Sequence, residues 1–395
     1  MSEWKEYRLG ELTEIVTKGT TPTTIGGGFI DNGVNFIKSE AVGHDGRIDK
    51  STFVFISKET HQKLKRSQLQ VDDILFSMAG IFLGKNGMVT EDMLPANTNQ
   101  ALAIIRLKKG LALPKFISYY LRQKSIVELV NNMSGQSAQP NINFEEIKSI
   151  GVLLPSFSEQ TAIAEVLSGL DDKMDLLHRQ NKTLEQLAET LFRQWFVEEA
   201  EESWESVRLG ALGTIICGKT PSKKISEYFN GEIPFIKIPD MHGKTFVFET
   251  EDSLTEKGLN SQSNKTLPPR SICVSCIATV GLVIMNAMTA QTNQQINSIV
   301  PLSDTTRYFL YLKMLTMKDE LLAMASGGTA TDNLNTGDFS KIDIVVPPES
   351  LLKEFDMTVS PLFEKIFTNQ TQIRTLTQLR DTLLPKLMSG EVRVS

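Results

Sequence analysis

The chain has 395 residues, of which 41% are hydrophobic and 22% are charged, and its formal net charge is −6 at pH 7. This length exceeds a single ordinary core, so we expect more than one domain, and no apolar run approaches the roughly 18 residues of a membrane span. The N-terminal sequence has no signal-peptide pattern and three cysteines cannot form a disulfide framework, so we expect a cytoplasmic protein. The negative charge at first argues against a nucleic-acid partner.

The first recognisable feature in the chain is a sequence segment that occurs twice. Residues 4–22 read WKEYRLGELTEIVTKGTTP, and residues 204–221 read WESVRLGALGTIICGKTP. Three further pairs follow in the same order: NFIK (35–38) with PFIK (234–237), TNQ (98–100) with TNQ (292–294), and MSGQSAQPNIN (133–143) with ASGGTATDNLN (325–335). A period of about 200 residues is too long for a solenoid repeat, so the chain is a tandem duplication of a domain-sized unit.

Within each half, short apolar runs alternate with turn residues and helical patches. The runs FVFI, ILFSM and LAIIRL in the first half, and FIKI, ICVSCI and INSIV in the second, are typical of strands. The stretch 116–133 has a helical pattern. We therefore expect each half to be a mixed α/β domain, and the fold class to be α+β.

A long helical segment follows each half. After Pro155, one heptad position holds Ile163, Leu170, Leu177, Leu184 and Leu191, and the other holds Leu167, Met174, Asn181, Ala188 and Trp195. After Pro348, the two positions hold Phe355, Leu362, Asn369, Leu376 and Leu383, and Val359, Ile366, Ile373, Arg380 and Leu387. Apolar residues at this spacing predict two coiled-coil helices, which we expect to pair in antiparallel orientation.

Four residues of these helices lead to more detailed predictions. Gly169 and Pro361 disfavour an uninterrupted helix, so we expect a kink or a restart at each. Asn181 and Asn369 are polar residues in apolar seams and are predicted to fix the coiled-coil register, either by meeting each other or as solvated residues at a seam edge. We therefore divide the chain into a first domain (1–155), a central helix (156–200), a second domain (201–347) and a C-terminal helix (348–395).

The negative charge is concentrated in the first long helix. About 11 acidic and 4 basic residues lie between positions 156 and 202, so most of the net charge belongs to the predicted spacer. The remainder of the chain is close to neutral, and the objection to a nucleic-acid partner no longer holds. Beyond Gly169 or Pro361, each helix keeps about 30 residues, or about 45 Å, which is of the order of the 34–36 Å between DNA half-sites on one face.

We find no pattern that supports catalysis or metal binding by this chain. GTIICGKT (213–220) matches a phosphate-binding loop in letters, but TIIC is typical of a strand and a proline follows at once. Cys273 and Cys276 have no second pair to complete a metal site and are interpreted as packed strand residues. A non-enzymatic DNA-binding subunit, a protein-binding scaffold and a nucleotide hydrolase based on Lys219 remain as alternatives.

The sequence resembles the specificity subunits of type I restriction–modification systems. The resemblance covers the whole chain and is sharpest in residues 134–167 and in LRDTLLPKLMSGEV (379–392), and the paired WxxxRLGxL openings and G-x-TP turns also fit. It implies two target-recognition domains, each reading one part of a split, asymmetric site in double-stranded DNA. It also implies that the helices set the spacing and dock two modification subunits.

The resemblance also implies where cofactors bind. S-adenosylmethionine would be carried by the methyltransferase (modification) subunits, and ATP and Mg²⁺ by the restriction (translocase) subunits. The chain itself would bind no cofactor or metal and would hold no catalytic residue.

DNA contacts are expected from basic and hydroxyl side chains in loops. The candidates are Lys18, Thr20, Thr21, Lys38, Ser39 and Lys85 in the first domain and Lys219, Thr220, Ser222, Lys223, Lys224 and Lys237 in the second. The two TNQ triplets have two possible roles, because asparagine and glutamine contact adenine but also cap turns. Since both halves keep the triplet although their half-sites are expected to differ, we interpret it as structural.

Overall fold

The structure, a computed structural model, describes residues 4–80, 83–133, 141–326 and 333–394. It divides into two compact units. Unit 1 contains Met1–Lys173 and Thr375–Ser395, and unit 2 contains Met174–Arg374. Each unit therefore combines one half of the duplication with a part of both long helices, whereas the four-part division of the sequence treats the helices separately and stays a prediction.

Unit 1 is a mixed α/β domain built on small, mainly antiparallel sheets. Its strands are β1 (Lys5–Arg8), β2 (Thr13–Lys18), β3 (Val34–Ile37), β4 (Val54–Ile56), β5 (Ile74–Ser77), β6 (Asn86–Met88), β7 (Ala96–Thr98), β8 (Leu102–Leu107) and β9 (Gly151–Leu154). Its shorter helices are α1 (Leu9–Leu12), α2 (Lys58–Lys63), α3 (Pro114–Leu121), α4 (Lys124–Met133) and α5 (Phe144–Ser149). One sheet has the order β2-β8-β5-β6 and a smaller one the order β4-β3-β7, in which β3 and β7 run parallel.

Unit 2 repeats this topology. Its strands are β10 (Glu205–Arg208), β11 (Gly213–Cys217), β12 (Phe229–Ile236), β13 (Phe246–Val247), β14 (Ser253–Leu254), β15 (Ile272–Ser275), β16 (Val283–Asn286), β17 (Gln291–Thr292), β18 (Ile296–Pro301) and β19 (Asp343–Val346). Its shorter helices are α7 (Leu209–Leu212), α8 (Ile238–Met241), α9 (Glu256–Asn260), α10 (Arg307–Thr316), α11 (Lys318–Ala325) and α12 (Thr336–Ser340). The sheet orders β11-β18-β15-β16-β13 and β14-β12-β17 match those of unit 1, with β13 added at one edge. The predicted duplication and the mixed α/β class are confirmed.

In each domain, the duplicated opening segment forms a strand that pairs with the last strand of the same domain. In unit 1, β1 pairs antiparallel with β9, the strand that precedes the long helix, and β10 pairs with β19 in the same way. Arg8 donates from Nη1 to the carbonyl of Ser149 at 2.8 Å. Arg208 donates in the same way to the carbonyl of Lys341. The arginine and the following Leu-Gly turn therefore join the beginning of each half to its end.

The two long helices are α6 (Phe157–Arg193) and α13 (Glu349–Met388). The prediction at Gly169 and at Pro361 was a kink or a restart. Each helix is continuous through that residue, so the restart is wrong, and the kink stays a prediction. A glycine in a helix interior costs about 1 kcal/mol and a proline about 3 kcal/mol. Burial of seam residues on both sides offsets this cost, as shown by Leu167 before the glycine and Phe363 after the proline, which are almost fully buried.

The helices pack antiparallel within each unit. In unit 2, Asn181 of α6 contacts Asn369 of α13, and Phe192, further along α6, contacts Phe355, which lies earlier in α13. In unit 1, Asp171 contacts Arg380 at 3.1 Å, which extends the same antiparallel order. All the predicted heptad positions are buried or half-buried, as a coiled-coil seam requires.

Each unit has a main hydrophobic core beneath its larger sheet. In unit 1 the core joins strand residues such as Ile74 and Phe76 to the buried face of α3 and to the helix residues Leu167 and Leu387. In unit 2 the equivalent core reaches Phe192 and Phe355. The helix pair is thus part of each core. None of the helices in the described ranges combines the length and apolar content that a membrane-spanning helix requires.

Candidate nucleic-acid interface

One edge of the larger sheet in unit 1 gathers the loops that carry the candidate residues. Lys18 at the end of β2 is paired with Ala103, and Ser77 at the end of β5 is paired with Leu102, so these strand ends meet at the start of β8. The parallel pair β3 and β7 ends at the same place, because Ile37 is opposite Thr98 and the chain then runs through residues 99–101 into β8. We call the loops at this edge, residues 18–21, 38–39, 78–80, 83–85 and 98–101, the loop face of unit 1.

Unit 2 forms the same face from the equivalent loops. Cys217 at the end of β11 is opposite Asn297, and Ser275 at the end of β15 is opposite Ile296. Ile236 at the end of β12 lies beside Thr292. The loop face of unit 2 is therefore formed by residues 218–224, 237, 276–282 and 292–295. The structure brings the candidate residues of each domain together at one edge, although they are far apart in the sequence.

The glycine of each G-x-TP turn packs directly on the TNQ triplet. A Cβ atom on Gly19 would lie 2.0 Å from the carbonyl oxygen of Thr98, and one on Gly218 would lie 2.1 Å from the carbonyl oxygen of Asn293. The next residue then hydrogen-bonds to the triplet, since the backbone N–H of Thr20 donates to the carbonyl of Thr98 at 2.9 Å. Lys219 makes the same 2.9 Å bond to Thr292. No residue with a side chain fits in place of these glycines without backbone displacement.

The side chains of the triplet support the same turn. Asn99 Oδ1 accepts from the backbone N–H of Ala101 at 3.2 Å, and Asn293 Oδ1 accepts from that of Gln295 at 3.1 Å. Gln294 Oε1 accepts from the Thr220 hydroxyl at 2.9 Å, and Gln100 Oε1 accepts from Thr21 in the same way. These contacts give the threonine and asparagine of the triplet a structural role, while both glutamines are exposed on the loop face.

The first-domain candidates differ in their surroundings. Lys18 is exposed, and Thr20 is half-buried and accepts a hydrogen bond from Arg66 at 3.1 Å. Lys38 is half-buried, lies 3.8 Å from Glu40 and sits 4.9 Å from the centre of the Phe29 ring. Its neighbour Ser39 begins a short 3-10 turn. Lys18 is thus the most open cation of this group.

Lys85 occupies a more enclosed position than its loop location predicts. It follows the turn after β5 and lines a cavity together with His44 and Arg122. Burial lowers the pKa of the Lys85 ammonium group. Burial also lowers the pKa of His44, and the charge of Lys85 lowers it further. Lys85 is therefore less open to solvent than Lys18.

The second-domain candidates fall into two groups. Ser222, Lys223 and Lys224 are exposed in the loop after β11. Lys237 is half-buried and forms an ion pair with Asp252 at 2.5 Å, and this hydrogen bond raises the pKa of Lys237. Lys223 and Lys224 therefore present their charge to solvent, whereas the charge of Lys237 is largely balanced by Asp252.

One functional candidate was missed by sequence reasoning. Arg66 is exposed, and its contact with Thr20 places it next to the loop face of unit 1. It belongs to the basic run Lys63, Lys65 and Arg66, which is the sequence signal that would have found it. We add Arg66 to the candidate residues of unit 1.

Two motifs to which the sequence analysis gave no function are packed in or beside strands. Gly213–Cys217 is β11, with its residues hydrogen-bonded along β18 instead of forming a phosphate-binding turn. Cys273 and Cys276 are almost fully buried, and burial raises the pKa of Cys273 to about 12 and that of Cys276 to about 11. Within the described ranges, no group of three potential metal-binding side chains is close enough to hold a metal ion.

The repeated serine- and glycine-rich segments 134–140 and 327–332 lie outside the described residues. The structure does describe the residues that follow them. Asn141 forms a bridge with Ala79, and Asn333 forms one with Ile277. In both units, the chain therefore returns to the loop face directly after the repeated segment.

The fold and its loop faces define a class of proteins with two similar domains in tandem. Comparison with known sequences identifies the family within this class. The sequence profile described as "Type I restriction modification DNA specificity domain" matches residues 1–186 and again residues 201–378. The chain belongs to this family.

Individual relatives agree with this assignment. The type I restriction enzyme HindI specificity subunit of Haemophilus influenzae is 33% identical, with 99% of this chain and 100% of that protein covered. The MjaIX specificity subunit of Methanocaldococcus jannaschii is 26% identical over 99% of this chain and 94% of its own length. The crystal structure of a type I restriction–modification S subunit from M. genitalium has the same fold, with a TM-score of 0.62 at 18% identity, covering 98% of this chain and 96% of that one.

Proposed function

We propose that this chain is the DNA-specificity subunit of a type I restriction–modification complex, in which each domain reads one half of a bipartite, asymmetric DNA site. The observation that carries the proposal is the loop face: two units of one topology collect basic and hydroxyl side chains at the same sheet edge. Lysine and arginine there supply phosphate contacts, and polar side chains in the same loops supply contacts to base edges.

The two loop faces have a common frame and different side chains. The frame is the glycine packed on the TNQ triplet, which is the same in both units. Around it, Thr20 of unit 1 corresponds to Lys219 of unit 2, and the exposed lysines 223 and 224 are part of unit 2 alone. A shared frame with divergent surroundings suits two modules that bind DNA in the same way and read different bases.

The long helices fit the role of spacer and docking element. Each helix is continuous over its whole length, and a continuous helix is stiffer than a flexible linker. We assign the docking of two modification subunits to this part of the molecule. Methylation of adenine from S-adenosylmethionine would then take place on those subunits, ATP- and Mg²⁺-dependent translocation on the restriction subunits, and no catalytic step on this chain. We expect the complex to act in the cytoplasm.

A DNA-binding experiment tests the proposal. The chain is assembled with its modification subunits, the preferred site is selected from random duplexes, and affinity is measured by gel retardation at several salt concentrations. We expect a split site, and we expect exchange of residues 1–155 for those of another family member to change one half-site and leave the other intact. Lys18→Ala with Arg66→Ala should weaken binding to all sequences and reduce the salt slope by about 2, because two phosphate contacts are lost.

The same experiment separates the alternatives. Binding without sequence preference at moderate salt would contradict the proposal. The absence of salt-dependent DNA affinity would instead favour a protein-binding scaffold. ATP binding by the isolated chain that is lost in Lys219→Ala would favour a nucleotide hydrolase, and we expect no such loss.

A further inference from the structure

An exposed apolar loop adjoins the loop face of unit 1. Three large apolar side chains within six positions of the chain, Ile25, Phe29 and Ile30, are 40%, 42% and 44% exposed. Single exposed apolar residues are common on protein surfaces, whereas several on one loop indicate a contact surface. We call the segment 23–30 the apolar loop.

The apolar loop is attached to residues of the loop face at both ends. At its beginning, the backbone N–H and the hydroxyl of Thr24 both donate to the carbonyl of Thr21, at 3.1 Å and 2.7 Å. At its end, the ammonium group of Lys38 lies over the ring of Phe29, 4.9 Å from the ring centre. The same ring packs in a T-shaped contact with Phe36, with 5.4 Å between the two ring centroids. Phe29 is therefore held next to the candidate DNA contacts of unit 1.

The equivalent segment of unit 2 has different chemistry. From the proline of the G-x-TP turn to the lysine of the FIK motif, the two segments have equal length, so they align without a gap. Ile25 corresponds to Lys224, which is exposed, and Phe29 corresponds to Tyr228, which is half-buried. Unit 2 keeps one exposed apolar side chain here, that of Ile225. The same position beside the loop face thus carries a cation in unit 2 and an apolar side chain in unit 1.

DNA offers few apolar groups to such a loop. The base edges present mainly hydrogen-bond donors and acceptors, and the methyl group of thymine is the apolar group of the major groove. A patch of three side chains is also small beside the area of about 800 Å² per partner that a stable protein interface buries. Two contacts with DNA remain, one with a thymine methyl group and one in the space between two base pairs.

The surroundings of Phe29 favour the thymine methyl group. An aromatic side chain between two base pairs stacks on both of them and needs both ring faces free. One face of the Phe29 ring is covered by Lys38. Insertion between base pairs would therefore break this cation–π contact, whereas the exposed part of the ring can contact a methyl group with Lys38 in place.

We propose that the apolar loop reads thymine in the half-site of unit 1, with Phe29 and Ile25 in contact with the thymine methyl group. Removal of the apolar surfaces from water stabilises this contact, and it discriminates thymine from cytosine, which has no methyl group. Unit 2 has Lys224 and the half-buried Tyr228 at these positions, so its half-site is read differently. The inference rests on the proposed function, because it requires that unit 1 lie on a DNA half-site.

Replacement of thymine by uracil tests the proposal on the unaltered protein. The chain is assembled with its modification subunits, the preferred duplex is selected, and the exchange of residues 1–155 identifies the half-site of unit 1. Each thymine of that half-site, on either strand, is then replaced by uracil, which removes the methyl group and keeps the base pair. We expect at least one replacement to weaken binding about fourfold in gel retardation, because one methyl group is lost from an apolar contact.

Variants of the chain assign the methyl contact to the apolar loop. In Phe29→Ala, the duplexes with thymine and with uracil should bind almost equally, because the protein side of the contact is gone. Ile25→Lys, which introduces the residue of unit 2, should reduce the difference and leaves the packing of Phe29 on Phe36 in place, so the test does not depend on the folding of one variant. Tyr228→Ala, the matched change in unit 2, should leave the fourfold difference intact.

Several outcomes would overturn the proposal. They are a half-site of unit 1 that contains no thymine on either strand, equal binding of thymine and uracil duplexes by the unaltered protein, and a difference that persists in both Phe29→Ala and Ile25→Lys. Unchanged discrimination with weaker assembly would also overturn it and would make the loop a protein-docking surface. Selection of a split site is scored separately. The proposed function therefore stands if a split site is bound and uracil has no effect, and both fail if no sequence is preferred.

Discussion

At the scale of single residues, the most constrained feature is the contact between a glycine and a neighbouring turn. Gly19 and Gly218 have ordinary positions in loop-forming sequence, and nothing in their immediate neighbours shows that another backbone passes within van der Waals distance. In the structure, the space that a Cβ would need is filled by the carbonyl of Thr98 in one unit and by Asn293 in the other. Close packing against this backbone therefore requires glycine at both positions. The TNQ triplet supplies the backbone against which each glycine packs.

We expect Gly19→Ala to destabilise unit 1 by at least about 1–3 kcal/mol, because the added methyl group would displace backbone atoms. Urea unfolding measures this, and DNA affinity should fall in the same variant because the loop face is distorted. Gly28→Ala is the matched control: no atom lies within 4 Å of its Cβ position, so its stability should change little. Equal unfolding midpoints for the two variants would show that the turn does not depend on this close contact.

The candidate site could be predicted from the sequence only in part. Lysines in loops near repeated turns, such as Lys18, were found because the repeat marks the loops themselves. Two features depend on which loops meet at the sheet edge: the ion pair of Lys237 with Asp252 and the enclosure of Lys85. The order of residues in the sequence does not show which loops meet. Arg66 was missed because it reaches the face through a contact with Thr20, 46 positions away.

At the scale of secondary structure, the spacing of apolar residues predicted the long helices, whereas the pairing of strands could not be predicted. The heptads predicted α6 and α13 because an apolar seam repeats over many turns, and the local effects of Gly169 and Pro361 were too small to interrupt it. The strand runs were also located correctly. The parallel pairing of β3 with β7 was not foreseen, since pairing between distant segments leaves no local pattern.

The paired asparagines are the polar element of the seam. Asn369 donates from Nδ2 to Asn181 Oδ1 at 2.9 Å, and both side chains are buried. The Oδ1 atom of Asn369 has no hydrogen-bond partner among the described residues. The arrangement has one good hydrogen bond and one unsatisfied acceptor, which is typical of a residue pair that contributes register specificity at some cost in stability.

We expect a double-mutant cycle to show strong coupling between these residues. Asn181→Leu alone should cost about 1–3 kcal/mol, because it leaves the buried amide of Asn369 with only its longer hydrogen bond, of 3.4 Å, to Gln180. The double change to leucine should recover most of this loss or exceed the wild-type stability, since both polar groups leave the seam together. Urea unfolding of the four proteins gives the coupling energy. Additive effects would mean that the two side chains act independently, and Ile366→Val, expected to cost about 0.5–1.5 kcal/mol, calibrates an apolar seam change.

At the scale of the whole molecule, both duplicated halves join the helix pair through a tyrosine, an arginine and a carboxylate. In unit 1, Tyr119 donates to Asp171 at 2.7 Å, and Arg380 pairs with the same carboxylate. In unit 2, Tyr308 donates to Glu364 at 3.1 Å, and Arg270 pairs with the same carboxylate at 2.9 Å. The ring of Tyr308 also stacks on Phe363, with 4.3 Å between ring centroids. The duplication has therefore kept this kind of junction in both units.

The spacer role of the helices leads to a prediction about the length of the DNA site. Deleting residues 175–181 together with 369–375 removes one heptad from each helix at the same level and takes out both asparagines as a pair. The helices shorten by about 10 Å, so the preferred gap between half-sites should shorten by about 3 base pairs, or the complex should fail to engage both half-sites at once. Selection of bound duplexes from a pool with variable gaps measures this. Deletion from α6 alone is the control, because it misaligns the seam and should lower stability instead. A matched deletion that leaves the gap unchanged while both half-sites are still read would show that the helices do not set the spacing.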